Sequence, residues 1–78
     1  MDTSQNGLKT MFFNPQNNRY YFMLMTINLF GEHEIIISRG SKQRKPILKS
    51  CVFTTYIDAM YDYFRLAKLR IKHGYKEI

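Results

Sequence analysis

A single cysteine leaves no internal disulfide, so Cys51, followed by Val52 and Phe53, is expected to pack as a small hydrophobe on a strand in a reduced compartment. The two histidines, His33 and His73, stand far from it in the chain, which gives no zinc-ligand spacing and no paired nucleophile and base. Acidic residues are sparse and scattered. Asp58 and Asp62 form the one close pair at helical spacing, and a place at a helix start explains them. No glycine-rich phosphate loop occurs, and no apolar run approaches the roughly 20 residues of a membrane span. The opening MDTSQNGLKT lacks the basic start and apolar run of a signal peptide. These absences imply a soluble, cytoplasmic, non-enzymatic protein with no catalytic residues, no metal and no cofactor.

What the chain does have is positive charge, and it is concentrated. Ten of the twelve Lys and Arg residues fall in two stretches free of Asp and Glu. Arg39, Lys42, Arg44, Lys45 and Lys49 form the first; Arg65, Lys68, Arg70, Lys72 and Lys76 form the second, with His73 among them. The stretches carry plus ten, and the two basic and six acidic residues elsewhere carry minus four, giving the net +6. Such segregation is the electrostatic footprint of a surface that meets polyphosphate or another anionic partner. The plain alternative is a solvated basic face with no ligand.

Seventy-eight residues make one domain near the lower limit for a single core, because a domain this small buries only about 60% of its unfolded surface. A 45% hydrophobic content with six Tyr and six Phe is still too apolar for disorder. Residues 1–7 are polar and expected to fray. Leu8 to Phe13 reads as a short strand ending at Asn14-Pro15, and Asn14 to Asn18 as a turn. The run RYYFMLMTINLF, Arg19 to Phe30, favours a strand, although its Met and Leu residues leave a helix open. Gly31 breaks it, and Glu32 to Ser38, with Ile35, Ile36 and Ile37, is the clearest strand. Gly40 to Pro46 reads as a solvated loop, and Ile47 to Phe53 as a strand with Lys49 exposed.

Thr54 or Thr55 is a candidate N-cap for a helix that runs to His73 and stops at Gly74. Asp58 and Asp62 near its start, with Arg70, Lys72 and His73 at its end, complement the helix dipole. At about 100° per residue, Met60, Phe64, Ala67 and Ile71, flanked by Tyr56, Ile57 and Tyr63, form the stripe expected to cover the sheet. Leu69 falls outside that stripe, so it is either a lone exposed leucine or a sign that the stripe is rotated by about a residue. The fold class is α+β: a small antiparallel meander of three main strands, with room for a short N-terminal strand, covered by one C-terminal helix.

The segments MFFNPQNNRYYFM, LFGEH, the breaker loop and FTTYIDA…RIKHGY, in that order, resemble a WGR domain of the small bacterial stand-alone type. That family has a D/N-P…N turn, R-[FY]-Y opening a strand, LFGEW, the W-G-R tripeptide, then a Phe, a helix with an early Ala and a terminal Gly-Tyr. The matching residues are Asn14, Pro15 and Asn18; Arg19, Tyr20 and Tyr21; Leu29 to Glu32; Phe53; Ala59; and Gly74-Tyr75. Roughly residues 8 to 76 are covered, as one WGR-like domain over 8–78. His33 stands where the family usually has Trp, and the tripeptide falls on Arg39, Gly40 and Ser41, where the glycine alone survives. The resemblance implies a basic surface at a sheet edge; without the Trp and Arg of the tripeptide it does not imply recognition of DNA break ends.

The expected nucleic-acid-binding residues are Arg39, Lys42, Arg44, Lys45 and Lys49 in and beside the loop, with Lys72 from the helix. Phosphate contact needs cationic donors on a rigid support, and a loop between two strands of one sheet supplies one. His33 is expected to pack at the core edge. Arg70 is expected to lay its stem on the sheet with its head hydrogen-bonded outward. Tyr20, Tyr21, Tyr61 and Tyr75 are expected in the core. The function so implied is sequence-nonspecific nucleic-acid binding, DNA ahead of RNA. The alternative is an adaptor whose basic surface docks an acidic protein, and membrane binding is disfavoured because no helix pairs basic residues with a wholly apolar face.

Overall fold

The structure is a computed structural model that describes residues 8–78; the expected fraying of residues 1–7 lies outside the described residues. Strands β1 (Lys9–Asn14), β2 (Arg19–Ile27), β3 (His33–Ser41) and β4 (Ile47–Phe53) are followed by helix α1 (Tyr56–Lys72) and a two-residue strand, β5 (Lys76–Glu77). All pairings are antiparallel, in the order β4-β3-β2-β1-β5. The α+β class and the meander agree with the sequence reading. Two details differ: the N-terminal strand is a full six-residue member of the sheet, and a fifth strand returns after the helix. Among the described residues no helix is long and apolar enough to cross a membrane.

Asparagines shape the turns. Asn14 Oδ1 accepts from the Gln16 amide at 3.0 Å, Asn17 Oδ1 accepts from the Arg19 amide at 3.1 Å, and Asn18 takes a left-handed φ of 57°. Between β2 and β3, Asn28 Oδ1 accepts from both the Phe30 and Glu32 amides, and Gly31 adopts φ 76°, a conformation that favours glycine. The strand expected over residues 19–30 therefore ends at Ile27, because Asn28 to Phe30 belong to this turn. At its other end β3 runs on to Ser41, so Gly40 and Ser41, expected in the loop, are strand residues.

Alternation sorts the strands into two faces. Phe12, Tyr21, Met23, Met25, Ile35 and Ile37 are buried beneath the helix, whereas Phe13, Phe22, Leu24 and Ile36 stand on the other face and stay partly exposed. The helix completes the core with Ala59 and Tyr63, both buried, and with Met60, Leu66 and Ala67 packed at its margin. The covering stripe thus includes Ala59, Tyr63 and Leu66 and is rotated from the one expected: Phe64 and Ile71 are exposed, as are Tyr56 and Ile57. Leu69 is half-buried, in keeping with that rotation. Tyr63 adds polar fixing. Its hydroxyl lies 2.6 Å from that of Thr10 and reaches the Met23 carbonyl at 3.5 Å, and burial pushes its phenol above the usual range despite the Thr10 hydrogen bond.

The helix is capped as expected. Thr55 Oγ1 accepts from the Asp58 amide at 3.2 Å, a bond worth about 1 kcal/mol. At the far end Gly74 has φ 92°, and the buried Asn14 donates through Nδ2 to the His73 carbonyl at 3.3 Å. One side chain therefore ties the β1–β2 turn to the helix C-terminus. That link sets the geometry of the end of the molecule where the basic residues gather.

Candidate functional site

At this end of the sheet the β1–β2 turn, the end of β3, the loop of residues 42–46 and the last turn of α1 surround a cleft of about 580 Å³. Among the described residues six cations line it, Arg19, Arg39, Lys42, Arg44, Lys45 and Arg70, and no Asp or Glu does. Register explains part of this convergence, because Arg19 stands opposite Ser41, and Arg39 opposite both Tyr21 and Ile47. Among the described residues the one ion pair is elsewhere: Arg65 donates to the Asp62 carboxylate through Nη2 at 2.6 Å and Nε at 2.9 Å. The six lining cations repel one another with no carboxylate among the described lining residues to offset them, so an anion in the cleft would relieve that repulsion.

Arg70 is the most constrained member. Its guanidinium carbon lies 4.6 Å from the ring centre of Tyr21 and 5.6 Å from that of Tyr75, and the two rings meet edge-on at 6.2 Å. Cation–π attraction holds the head, which pairs with no carboxylate among the described residues. Its Nε is buried and has no hydrogen-bond partner among the described residues, in keeping with the expected packed stem. Tyr21 registers the arrangement. Burial raises its pKa, while the charges of Arg70 and then Arg39 pull it back down.

Gly40 has a steric role. A Cβ built there would lie 3.3 Å from Pro46 Cα and 3.5 Å from the Tyr20 hydroxyl oxygen, tight enough that the loop would have to give. Glycine at this position lets the returning loop and the Tyr20 side chain lie against β3. The loop's cations are thereby held over the end of the sheet.

Four of the six expected site residues, Arg39, Lys42, Arg44 and Lys45, line the cleft. Lys49 and Lys72 do not: Lys49 is exposed on β4 opposite Ile37, and Lys72 is exposed at the end of α1. Arg19 and Arg70 were not expected there; hairpin register brings in the first and helix packing the second, and only the register leaves a trace in the sequence, through the turn that sets it. His33 packs edge-on against Tyr56 at 5.5 Å, at the end of β3 away from Arg39. Of the tyrosines expected in the core, Tyr21 is buried and Tyr75 packs against the core, but Tyr20 is only partly buried and lines the cleft, and Tyr61 is exposed. No protein-family model, curated protein or solved structure matches this chain.

Proposed function

We propose that this chain is a sequence-nonspecific nucleic-acid-binding module of WGR type, non-enzymatic and cytoplasmic, that contacts phosphates through the basic cleft, with DNA ahead of RNA. The observation that carries the reading is the convergence of Arg19, Arg39, Lys42, Arg44, Lys45 and Arg70 on one cleft with no carboxylate among its described lining residues. Arginine forks and lysine ammonium groups suit phosphate oxygens, and nothing in the cleft has the geometry of a base-reading code. Fluorescence anisotropy with labelled DNA across a salt series tests it. With about four to six phosphate contacts, log affinity against log salt falls with a slope near −0.9 per contact on duplex DNA. Absence of binding at low salt overturns the reading.

A second reading, an adaptor for an acidic protein, draws on the opposite end of the β2–β3 hairpin. There Leu29 is 101% and Phe30 86% exposed, on a turn that Asn28 holds by three side-chain hydrogen bonds. Rigid apolar anchors of this kind serve protein contacts rather than phosphates. Binding to an acidic protein that survives nuclease treatment and is lost in Leu29→Ser/Phe30→Ser would favour it.

A further inference from the structure

One face of the sheet has no covering element among the described residues. Along β1 and β2 this face carries Phe13 directly opposite Tyr20, and Met11 directly opposite Phe22. None of these four side chains is fully buried, and Met11 remains 45% exposed. Directly opposite residues on one face hold their Cβ atoms about 5 Å apart, so Phe13, Tyr20 and Phe22 form one contiguous aromatic strip. Tyr20 joins that strip to the basic cleft, because it lines the cleft and its hydroxyl lies beside Gly40.

Charge on the same face is distributed unevenly. Lys76 of β5 stands opposite Phe13, at the aromatic end. At the other end Lys9 stands opposite Leu24, and Glu34, the acidic residue of this face on the central strands, stands opposite Thr26 and Val52. The aromatic strip thus lies beside Lys76 and the basic cleft and away from the acid. A second copy of the chain would bring the same net charge of +6 to a rim that is already cationic. An anionic partner with planar apolar groups matches both features.

We infer that the uncovered sheet face binds single-stranded nucleic acid, its bases stacking on Phe13, Tyr20 and Phe22 while its phosphates run into the basic cleft. This rests on the nucleic-acid reading of that cleft and adds the class of strand. In a duplex the bases already stack on one another and cannot reach the strip, so only the cleft's charge acts on it. A single strand gains both terms, and stacking on an aromatic side chain is tolerant of sequence because every base has a π face.

The test uses a labelled single-stranded oligonucleotide of mixed sequence and the duplex it forms with its complement, at one low salt concentration. The proteins are the parent chain, Phe13→Leu/Phe22→Leu, which keeps apolar bulk and removes the rings, and Arg44→Glu/Lys45→Glu. The expected result is tighter binding of the single strand by the parent chain and a loss of about tenfold in that affinity in the leucine variant. Duplex affinity stays unchanged in the leucine variant and falls together with single-strand affinity in the charge variant. Circular dichroism melts verify that the variants fold, and shifts of the Phe13 and Phe22 ring protons when the single strand is added to the parent chain give a readout that does not depend on a variant. If the parent chain binds both forms equally and the leucine variant alters neither, with ring protons unmoved, the inference fails and the basic cleft stands. Binding of neither form overturns both. A concentration-dependent dimer that is lost in the leucine variant assigns the face to a second copy and overturns the inference.

Discussion

The two ends of the β2–β3 hairpin use one backbone device for opposite purposes. At one end Asn14 and Asn17 fold the β1–β2 turn by accepting from amides two residues on, and at the other Asn28 does the same for Phe30. Around the first turn stand the six cations of the cleft, and beyond the second stand Leu29 and Phe30, exposed and uncharged. With nine residues in each strand at about 3.3 Å per residue, the two ends lie about 30 Å apart, several Debye lengths at physiological salt. Charge at one end is therefore not felt at the other. The sheet is a spacer that keeps a cationic end and an apolar end independent.

The sharpest way to break that independence is to reverse charge at the basic end. In Arg44→Glu/Lys45→Glu, nucleic-acid affinity at low salt should fall tenfold or more, and the salt slope should become shallower by about 2, since each lost phosphate contact removes about 0.9. Anisotropy titrations read both, and a melting temperature equal to or above that of the parent chain is expected because the cleft's self-repulsion is reduced. An unchanged affinity would remove the loop from the site. A smaller effect separates binding from stability within the same cleft. Arg70→Met keeps an apolar stem beside Tyr21 and Tyr75 and removes a buried, unpartnered Nε, so stability should hold or rise while affinity falls several-fold. Titration of Tyr21 should then move further upward, since Arg70 is the leading charge that lowers it.

Between the two ends, Tyr63 reports on the core alone. Tyr63→Phe removes the Thr10 hydrogen bond and should cost about 1 kcal/mol at neutral pH. The folded-state pKa of Tyr63 is raised above its unfolded value of 10.0, so its stabilising share is fully present below that pH and is lost as pH climbs through the folded value. Denaturant melts from neutral to strongly alkaline pH should therefore decline less steeply for the Phe variant than for the parent. The smallest effect is expected at the apolar end. Leu29→Ser/Phe30→Ser should shift stability by no more than about 0.5 kcal/mol and leave nucleic-acid affinity unchanged, because both side chains are already in water. A fall in affinity would show that the two ends are coupled after all.

Local chemistry made much of this fold readable. The isoleucines of β3, the bounds of β4 between Pro46 and Thr54, the Thr55 cap and the Gly74 stop all rest on interactions within a few residues. What escaped reading depends on distant partners. β5 is two residues long and exists because the helix returns the chain to the open edge of β1. The helix face lay off the expected one because small Ala59 admits the close approach to the sheet, and Tyr63 and Arg70 find polar and aromatic partners there, whereas a periodicity argument weighs Phe64 and Ile71 more heavily. The cleft was legible in its loop and illegible in Arg19 and Arg70, which are far apart in the chain and meet it only through sheet register and helix packing.

Lys49 lies outside the cleft, on a strand whose outer side has no neighbour among the described residues. β5 covers part of the sheet's other edge at Phe12 and Phe13, so β4 is the longer open border, and Leu48 and Val52 leave it exposed and greasy. Such a border is a template for unwanted strand addition and for fibril growth. Pro46 before its first residue and the charge of Lys49 at its centre are gatekeepers of the kind that block this, since an incoming strand would have to strip water from the ammonium group. The basic stretch from Arg39 to Lys49 thus divides in two: its first four cations line the cleft, and its last puts a charge on the open border, where it disfavours strand addition.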